Sequence, residues 1–280
     1  MKKKPRPKKS ASRPRSAGRA TPPRRPPKRP RPVEDIADQA ELARAVQRSL
    51  LSTAHARGPG YELVGRFAPA LEVAGDFYDH FVFGGGLVGF YVGDVQGKGL
   101  AAAMYAALVS GIMRGLQKAG CGPGTVLDFL NRRLCLRPIP GKFCALAYVT
   151  LDPVRRRLAW ANAGLPYPLL CRHGKAKRLK LDGLPIGLFP ETKYAERELG
   201  LEPGDVVLFY TDGLTDSLEH RGVRNGEALV RRLLESARSG SLAQIADRLL
   251  AQLVAPDSPR RRRPLEPLHD DASFLLLKIQ

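Results

Sequence analysis

Residues 74–99 read AGDFYDHFVFGGGLVGFYVGDVQGKG and contain the clearest hairpin pattern in the chain. Two runs rich in apolar residues, at 77–83 and 87–93, predict strands, and the glycine triplet between them predicts a tight hairpin connection. Asp76 precedes the first strand and Asp94 follows the second, before a helix predicted from Leu100 to about Lys118. The sequence therefore predicts a hairpin with one aspartate just before its first strand and one just after its second strand.

Further strands and helices are predicted on both sides of this hairpin. The strands are Tyr61–Ala68, Phe143–Leu151, Arg157–Ala163, Pro168–Arg172, Lys177–Leu181, Val206–Thr211 and Ser273–Ile279, and the helices are Gly124–Leu136, Gly226–Ser239 and Leu242–Val254. Most strand pairs are joined by short turns, which favours antiparallel sheets. Because the helix pairs fall between groups of strands, the pattern predicts an α+β layered domain rather than a doubly wound one.

The amino-terminal segment 1–32 differs in composition from everything after it. It holds 14 of the 46 lysines and arginines, nine prolines and no acidic residue, which leaves 32 basic against 27 acidic residues in the remainder. Such a segment cannot bury enough apolar surface to fold, and we predict a disordered tail. Its charge allows weak polyanion binding, although a purely solubilising extension explains the composition equally well.

Sequence features bearing on location and redox state are few. The tail lacks the apolar middle region of a signal peptide. The longest apolar stretch, Leu100 to Met113, is too short to cross a bilayer, so no transmembrane segment is expected. Cys121, Cys135, Cys144 and Cys171 contain no C-x-x-C pair, which favours reduced cysteines over a zinc site or a disulfide framework. A cytoplasmic protein is the resulting expectation.

An amphipathic helix is predicted from Ala37 to Leu51. Leu42, Ala45, Val46, Ser49 and Leu50 recur at helical spacing along one side. A helix this short is marginally stable alone, so we expect it to dock on the following domain or to form a homodimer through 37–51. The segment 33–57 is therefore interpreted as a linker or regulatory helix.

Four aspartates at strand ends are the candidate catalytic residues: Asp76, Asp94, Asp212 and Asp270. Each alone is more simply explained as a residue that caps a turn. Together they form a set of hard oxygen ligands, which suits Mg²⁺ or Mn²⁺ better than zinc. A P-loop is excluded at Gly97-Lys98, because Val92 and Gly99 occupy positions where that motif requires glycine and serine or threonine.

The motifs around these aspartates resemble those of the PPM family of metal-dependent Ser/Thr protein phosphatases, in its bacterial SpoIIE/RsbU-like branch. The matching segments, in order, are Ala74 to Asp79, Gly93 to Gly99, Asn162 to Gly164, Pro203 to Asp205, Tyr210 to Gly213 and Asp270 to Ser273. The resemblance covers about 58–280 and implies an α-β-β-α sandwich with two mainly antiparallel sheets. Ala74 stands where the pattern has glycine, and Leu165 stands where it has histidine.

The resemblance implies a specific chemistry. Asp94 would bridge two Mn²⁺ or Mg²⁺ ions, the carbonyl of Val95 would bind one of them, and Asp76, Asp212 and Asp270 would complete the shell, partly through water. The implied reaction is hydrolysis of phosphoserine or phosphothreonine by a metal-activated water. The implied partner is a phosphoprotein, often an anti-anti-sigma-type regulator in bacterial signalling.

Two other functions remain open at this point. The first is a pseudophosphatase that keeps the fold as a regulatory binding module, although retention of all four carboxylates argues against it. The second is a nucleic-acid or anionic-surface binding protein, suggested by the tail but by no recognisable DNA-binding element.

Overall fold

The computed structural model describes residues 34–50, 55–116, 121–236, 240–254 and 268–280. The helices in these ranges are α1 (Glu34–Leu50), α2 (Gly99–Gly115), α3 (Pro123–Cys135), α4 (Gly213–His220), α5 (Gly226–Ser236) and α6 (Leu242–Val254). The strands are β1 (His55–Gly58), β2 (Tyr61–Ala68), β3 (Phe77–Val82), β4 (Val88–Val95), β5 (Cys144–Asp152), β6 (Arg157–Ala163), β7 (Leu169–Arg172), β8 (Lys175–Arg178), β9 (Glu196–Gly200), β10 (Val206–Tyr210) and β11 (Ala272–Ile279). The predicted tail 1–32 and the polar loop Pro256–Pro267 lie outside the described residues.

The strands form two sheets in which every pairing is antiparallel. The six-stranded sheet has the order β1-β2-β11-β10-β7-β8, and the five-stranded sheet has the order β3-β4-β5-β6-β9. The final strand, β11, therefore lies in the interior of its sheet, between β2 and β10. This arrangement confirms the prediction of an α+β domain with antiparallel sheets.

The two sheets pack face to face, and helices cover both outer faces. Phe90 of β4 and Phe209 of β10 meet edge to face across the interface, with ring centroids 5.3 Å apart. Helices α2 and α3 pack on the outer face of the five-stranded sheet, and α4, α5 and α6 pack on the outer face of the other. The predicted α-β-β-α sandwich is confirmed.

This layering explains why the central strands are apolar on both sides. In β4, Val88, Phe90 and Val92 point into the space between the sheets, whereas Tyr91 points toward α2 and α3. A strand covered on both faces needs apolar residues at consecutive positions, because no face is left for water. The same rule accounts for the uninterrupted run Val206–Tyr210 in β10, which is buried throughout.

Three short elements depart from the expectations drawn from sequence. No strand was predicted at β1 or at β9, and no helix was predicted at α4, which directly follows Asp212. Both strands lie at sheet edges and are rich in charged residues, so they lack the alternation that identifies a strand. In addition, Asp94 lies within the end of β4, paired with Ala145, instead of following the strand.

Helix α1 lies against the loop that precedes β3. The Gln47 side-chain amide donates to the carbonyl of Ala74 at 2.6 Å and accepts from its N–H at 3.1 Å. The Arg44 guanidinium donates to the carbonyl of Glu72 at 2.9 Å. Leu42 and Val46, from the predicted apolar stripe, are exposed. The helix therefore contacts the domain, which is one of the two predicted alternatives, but it does so through polar side chains rather than through Leu42 and Val46.

Candidate metal-dependent active site

Sheet register brings the four predicted aspartates to one edge of the sandwich. Asp76 precedes β3, whose first residue pairs with Gly93, the neighbour of Asp94. Asp212 follows β10, and Asp270 precedes β11, in a pair of strands joined through Tyr210 and Phe274. Two carboxylates thus come from each sheet, and they meet where the strands of both sheets end.

Asp76 and Asp94 form the interior of this cluster. Burial, followed by the charge of Asp94, raises the pKa of Asp76 well above its usual range, and a hydrogen bond from the Thr211 hydroxyl at 2.8 Å partly opposes this effect. Burial and the charge of Asp212 raise the pKa of Asp94 to about 7, although a side-chain hydrogen bond with Asp76 acts in the opposite direction. The protein thus holds two interacting carboxyl groups in a poorly hydrated place.

Asp212 and Asp270 lie at the rim of the cluster. The pKa of Asp212 is raised by burial and then by the charges of Asp216 and Asp270. Part of this side chain nevertheless reaches solvent. The Lys98 ammonium lies 3.3 Å from the Asp270 carboxylate and also donates a short hydrogen bond to the carbonyl of His269. In the part of the chain that the structure describes, no lysine or arginine forms an ion pair with Asp76 or Asp94.

Asp271 is a buried member of the cluster that the sequence analysis did not single out. One of its carboxylate oxygens accepts from the Ala70 N–H and the other from the Gly75 N–H, each at 2.8 Å. Burial raises its pKa, and these two hydrogen bonds lower it. Asp271 therefore fastens the loop that carries Asp76 to the start of β11. The doublet Asp270-Asp271 was the available signal, but it could not tell which carboxylate faces the loop.

Two glycines permit the close approach of backbone segments at this edge. A methyl group at Gly75 would lie 2.9 Å from the carbonyl oxygen of Val95, and one at Gly213 would lie 1.8 Å from the carbonyl oxygen of Asp271. Neither contact is tolerable for a real Cβ atom, so only glycine fits at these positions. Gly75 in particular keeps the space beside the Val95 carbonyl free of side-chain atoms.

Both departures from the family pattern lie outside the carboxylate cluster. Leu165 is buried in the core between the sheets, and the side-chain amide of Asn162 accepts from its N–H at 3.2 Å and donates to its carbonyl at 2.9 Å. Ala74 is fully buried and is held by Gln47. The leucine therefore contributes to packing where the pattern has histidine.

Histidine and cysteine side chains make contacts other than metal ligation. His269, the histidine next to Asp270, stacks on His220 with ring centroids 3.9 Å apart. The four cysteines are free, with Cys144 and Cys171 buried, Cys135 half-buried and Cys121 exposed.

The donor set at this edge fits hard divalent cations. It offers several carboxylate oxygens beside the carbonyl of Val95. Lys98 is the only lysine among the described residues that forms an ion pair with one of these carboxylates, and burial penalises the ionised state of Asp76 and Asp94. Among the described residues, no three His, Cys, Asp or Glu side chains already enclose a point where an ion could lie. No described helix is both long and apolar enough to cross a membrane.

Comparison with known proteins identifies relatives with the same fold. A family model described as "Stage II sporulation protein E (SpoIIE)" matches residues 84–280. The chain is 25% identical over 247 residues to "Phosphoserine phosphatase RsbU" of Bacillus subtilis, a match that covers 88% of this chain and 71% of the relative.

Solved structures agree with this result at the level of the fold. The SiaA-PP2C domain of Pseudomonas aeruginosa superposes with a TM-score of 0.72 at 22% identity, covering 88% of this chain and 98% of that one. The RsbU and RsbW domains of a Mycobacterium tuberculosis protein superpose with a TM-score of 0.69 at 24% identity, covering 82% of this chain and 63% of that one.

Proposed function

Because the chain belongs to the SpoIIE family, whose members include PP2C-type serine phosphatases, we propose that it is a metal-dependent protein phosphatase. Its substrate would be a phosphoserine or phosphothreonine protein in bacterial partner-switching signalling. The observation that carries the proposal is the pair Asp76 and Asp94, two interacting carboxyl groups of which the first is buried and the second half-buried, with no basic ion-pair partner among the described residues. A fold that needed these residues only for stability would gain more from an apolar pair.

The site residues divide into direct and supporting roles in this proposal. Asp94 and the carbonyl of Val95 would hold two Mn²⁺ or Mg²⁺ ions together with Asp76, Asp212 and Asp270. Water would complete the coordination, since the described side chains do not enclose an ion by themselves. Bound ions of this kind lower the pKa of a water and stabilise the charge of a transferring phosphoryl group. Asp271 and Thr211 would keep Asp76 in place through their hydrogen bonds.

A catalytically weak pseudophosphatase is the alternative. Leu165 is the residue that could support it, because it replaces the histidine of the family pattern. Its burial in the core between the sheets supports an active enzyme instead, since a side chain in that place does not occupy the carboxylate cluster.

The test is hydrolysis of p-nitrophenyl phosphate by the full chain in Mn²⁺, in Mg²⁺ and in EDTA. We expect turnover with either ion and none in EDTA, with restoration when the metal is returned. Binding of Mn²⁺ measured by calorimetry gives a second readout that does not depend on turnover. Metal binding without hydrolysis would favour the pseudophosphatase. The absence of both metal binding and hydrolysis would reject the metal site altogether.

Self-association through helix 37–51 is a further part of the proposal. Leu42 and Val46 are exposed on α1, which leaves an apolar surface available for a second copy. Replacing both residues with aspartate should lower the molecular mass measured by light scattering if that surface holds a dimer. An unchanged mass would mean that this helix surface does not mediate self-association.

The basic segment 1–32 is proposed to act separately from the phosphatase domain 58–280. A chain that starts at Val33 should keep full turnover of p-nitrophenyl phosphate, because the tail has no large apolar residue after Met1 with which to support the site. It should lose salt-sensitive retention on DNA or anionic vesicles, since such binding depends on counterion release. Loss of hydrolysis on truncation, or equal retention of both chains, would contradict this separation.

A further inference from the structure

Exposed apolar side chains lie on two loops beside the carboxylate cluster. Leu136 and Ile139 follow α3, and Leu184, Leu188 and Phe189 lie between β8 and β9; we call these five residues the apolar rim. Leu136 is 70% exposed and Phe189 is 56% exposed. Single exposed apolar residues are common on protein surfaces, but several large ones gathered on adjoining loops indicate an interaction site.

The rim is held in place by buried polar contacts. The side-chain amide of Asn131, which is fully buried, accepts from the Gly187 N–H and donates to the carbonyl of Phe189, both at 2.8 Å. Ile186 exchanges backbone hydrogen bonds of 2.8 and 3.0 Å with Cys144, the first residue of β5. Because these bonds fix the backbone next to Leu188 and Phe189, the loop presents its apolar side chains from a defined position.

The same loops adjoin the turn that follows Asp94. Cys144 pairs with Val95 across the sheet, and the Gln96 N–H donates to the carbonyl of Phe143 at 3.0 Å. The Lys142 ammonium donates to the carbonyl of Gln96 at 2.8 Å. A basic residue thus stands between the rim and the carboxylates, and Lys98 stands at Asp270.

We propose that the apolar rim docks a folded phosphoprotein substrate through an apolar surface next to its phosphorylated serine or threonine. The inference rests on the proposed phosphatase function and adds the class of substrate surface that the enzyme selects. A small phosphate ester reaches the carboxylates without touching the rim, whereas a folded protein must lie against the surface around the site. Lys142 and Lys98 complement the negative charge of the phosphate that such a protein carries.

The exposed residues Leu100, Met104 and Leu108 of α2 form a competing apolar surface. They recur every four residues and therefore share one side of the helix. Their helix begins at Gly99, directly after the Asp94 turn, so proximity to that turn does not separate the two surfaces. Lys142, which lies on one of the rim's own loops and bonds to the turn at Gln96, favours the rim because its charge complements a phosphate, and the α2 surface is an outcome of the test.

The experiment compares two rim variants with a control. The first rim variant is the double substitution Leu188→Asp and Phe189→Asp, the second is the single substitution Leu136→Asp, and the control is Val154→Asp. Val154 is 82% exposed in the turn between β5 and β6, at the opposite end of these strands from the site. Steady-state rates are measured on p-nitrophenyl phosphate, on a folded anti-anti-sigma-type protein carrying phosphoserine, and on a short synthetic peptide with the same phosphoserine.

We expect both rim variants to lose about tenfold or more in kcat/KM on the folded protein, mainly through KM, and less than about twofold on the ester. The wild type should prefer the folded protein to the peptide, and Val154→Asp should match the wild type on every substrate. Equal losses on ester and protein would overturn the proposal, as would no preference of the wild type for the folded protein. Full activity of the rim variants, with losses confined to Leu100→Asp and Met104→Asp, would move docking to α2. No ester hydrolysis by the wild type would instead refute the proposed function.

Discussion

Buried or half-buried carboxylates occur at the edge of the sandwich that carries the carboxylate cluster and also away from it, and the two sets differ in their partners. Away from the site, Asp205 receives the Arg172 guanidinium at 2.6 Å, Glu62 receives Arg57 at 2.8 Å, and Asp79 receives Arg114 at 2.8 Å. At the site, Asp76 and Asp94 face each other and other acids instead. The first set has its charge compensated by arginine within the protein, whereas the second has no basic ion-pair partner among the described residues, which is why we propose that a ligand compensates it.

Asp76 and Asp79 show how local this difference is. They stand three residues apart in one motif, yet only Asp79 is paired with an arginine. Burial alone therefore does not identify a functional carboxylate. The absence of a basic partner for a buried acid is the more informative property, because an unpaired buried charge is costly and is retained only where something else repays it.

The largest expected effect comes from Asp94→Asn. We expect metal-dependent hydrolysis of p-nitrophenyl phosphate to fall by roughly a hundredfold to a thousandfold, because the proposed bridging ligand is lost. In EDTA, thermal unfolding should occur at the same temperature or higher, since a repulsive buried charge has been removed. A clear loss of stability in EDTA would mean that Asp94 belongs with the structural carboxylates.

Asp205→Asn should give the reverse result. Asp205 is buried, accepts from Arg172 and also accepts from the Glu202 N–H at 2.8 Å, so its neutral replacement leaves a guanidinium without its closest partner. We expect a loss of about 2–3 kcal/mol in the free energy of unfolding, measured with urea. The activity of the molecules that remain folded should be unchanged, and a loss of metal-dependent turnover would show that the two sets are coupled.

A smaller effect is expected from pH on the metal-free protein. The raised pKa of Asp94, about 7, means that the folded state binds a proton more readily than the unfolded state. This contribution to stability is therefore greatest at low pH and falls as pH rises toward 7 and above, by on the order of 1 kcal/mol between pH 5.5 and 7.5. Glu62 behaves oppositely: burial opposes its ionisation, but Arg57 and His55 outweigh burial and lower its pKa, so its contribution is lost as pH falls below the usual value of 4.5.

Unfolding in EDTA as a function of pH checks both signs. The decline in stability toward pH 7.5 should be weaker in Asp94→Asn. Glu62→Gln should instead lose only the dependence of stability on pH that lies below the usual pKa of glutamate. An unchanged pH profile in Asp94→Asn would show that other acids cause the decline.

The smallest effect is expected from Gln47→Ala. Gln47 holds Ala74, two residues before Asp76, so its loss should loosen the loop without removing a ligand. We expect a few-fold rise in the Mn²⁺ concentration that gives half-maximal activity, with little change at saturating metal. Gln39→Ala, an exposed glutamine on the same helix, is the control. Equal effects of the two variants would mean that Gln47 does not act through the loop.

The sequence predicted the strands best where both faces are buried. The hairpin of β3 and β4 and the strand β10 were placed within about two residues, because consecutive apolar residues and glycine turns specify them. Edge strands β1 and β9 were missed, since their charged residues satisfy no hydrophobic pattern. Motif spacing was enough to select Asp76, Asp94, Asp212 and Asp270, and the structure brings all four to one edge.

The supporting contacts of the site were beyond local reasoning. Asp271 reaches Gly75 across 196 residues of sequence, and Thr211 reaches Asp76 across 135. Side-chain to backbone bonds at such separations depend on how the two sheets pack, and no periodicity encodes them. The apolar rim was equally beyond local reasoning, because its loops are positioned by long-range hydrogen bonds to the Asn131 amide and to the Cys144 backbone.

The interior position of β11 has a consequence for how the sheet and the carboxylate cluster form during synthesis. β2 can complete its pairing only after residues 272–279 have left the ribosome, because β11 is inserted between β2 and β10. Contacts of such large sequence separation form slowly and late. Asp270 and Asp271 arrive with the same strand, so a nascent chain can neither close its sheet nor assemble its carboxylates until residues 270–279 have been translated.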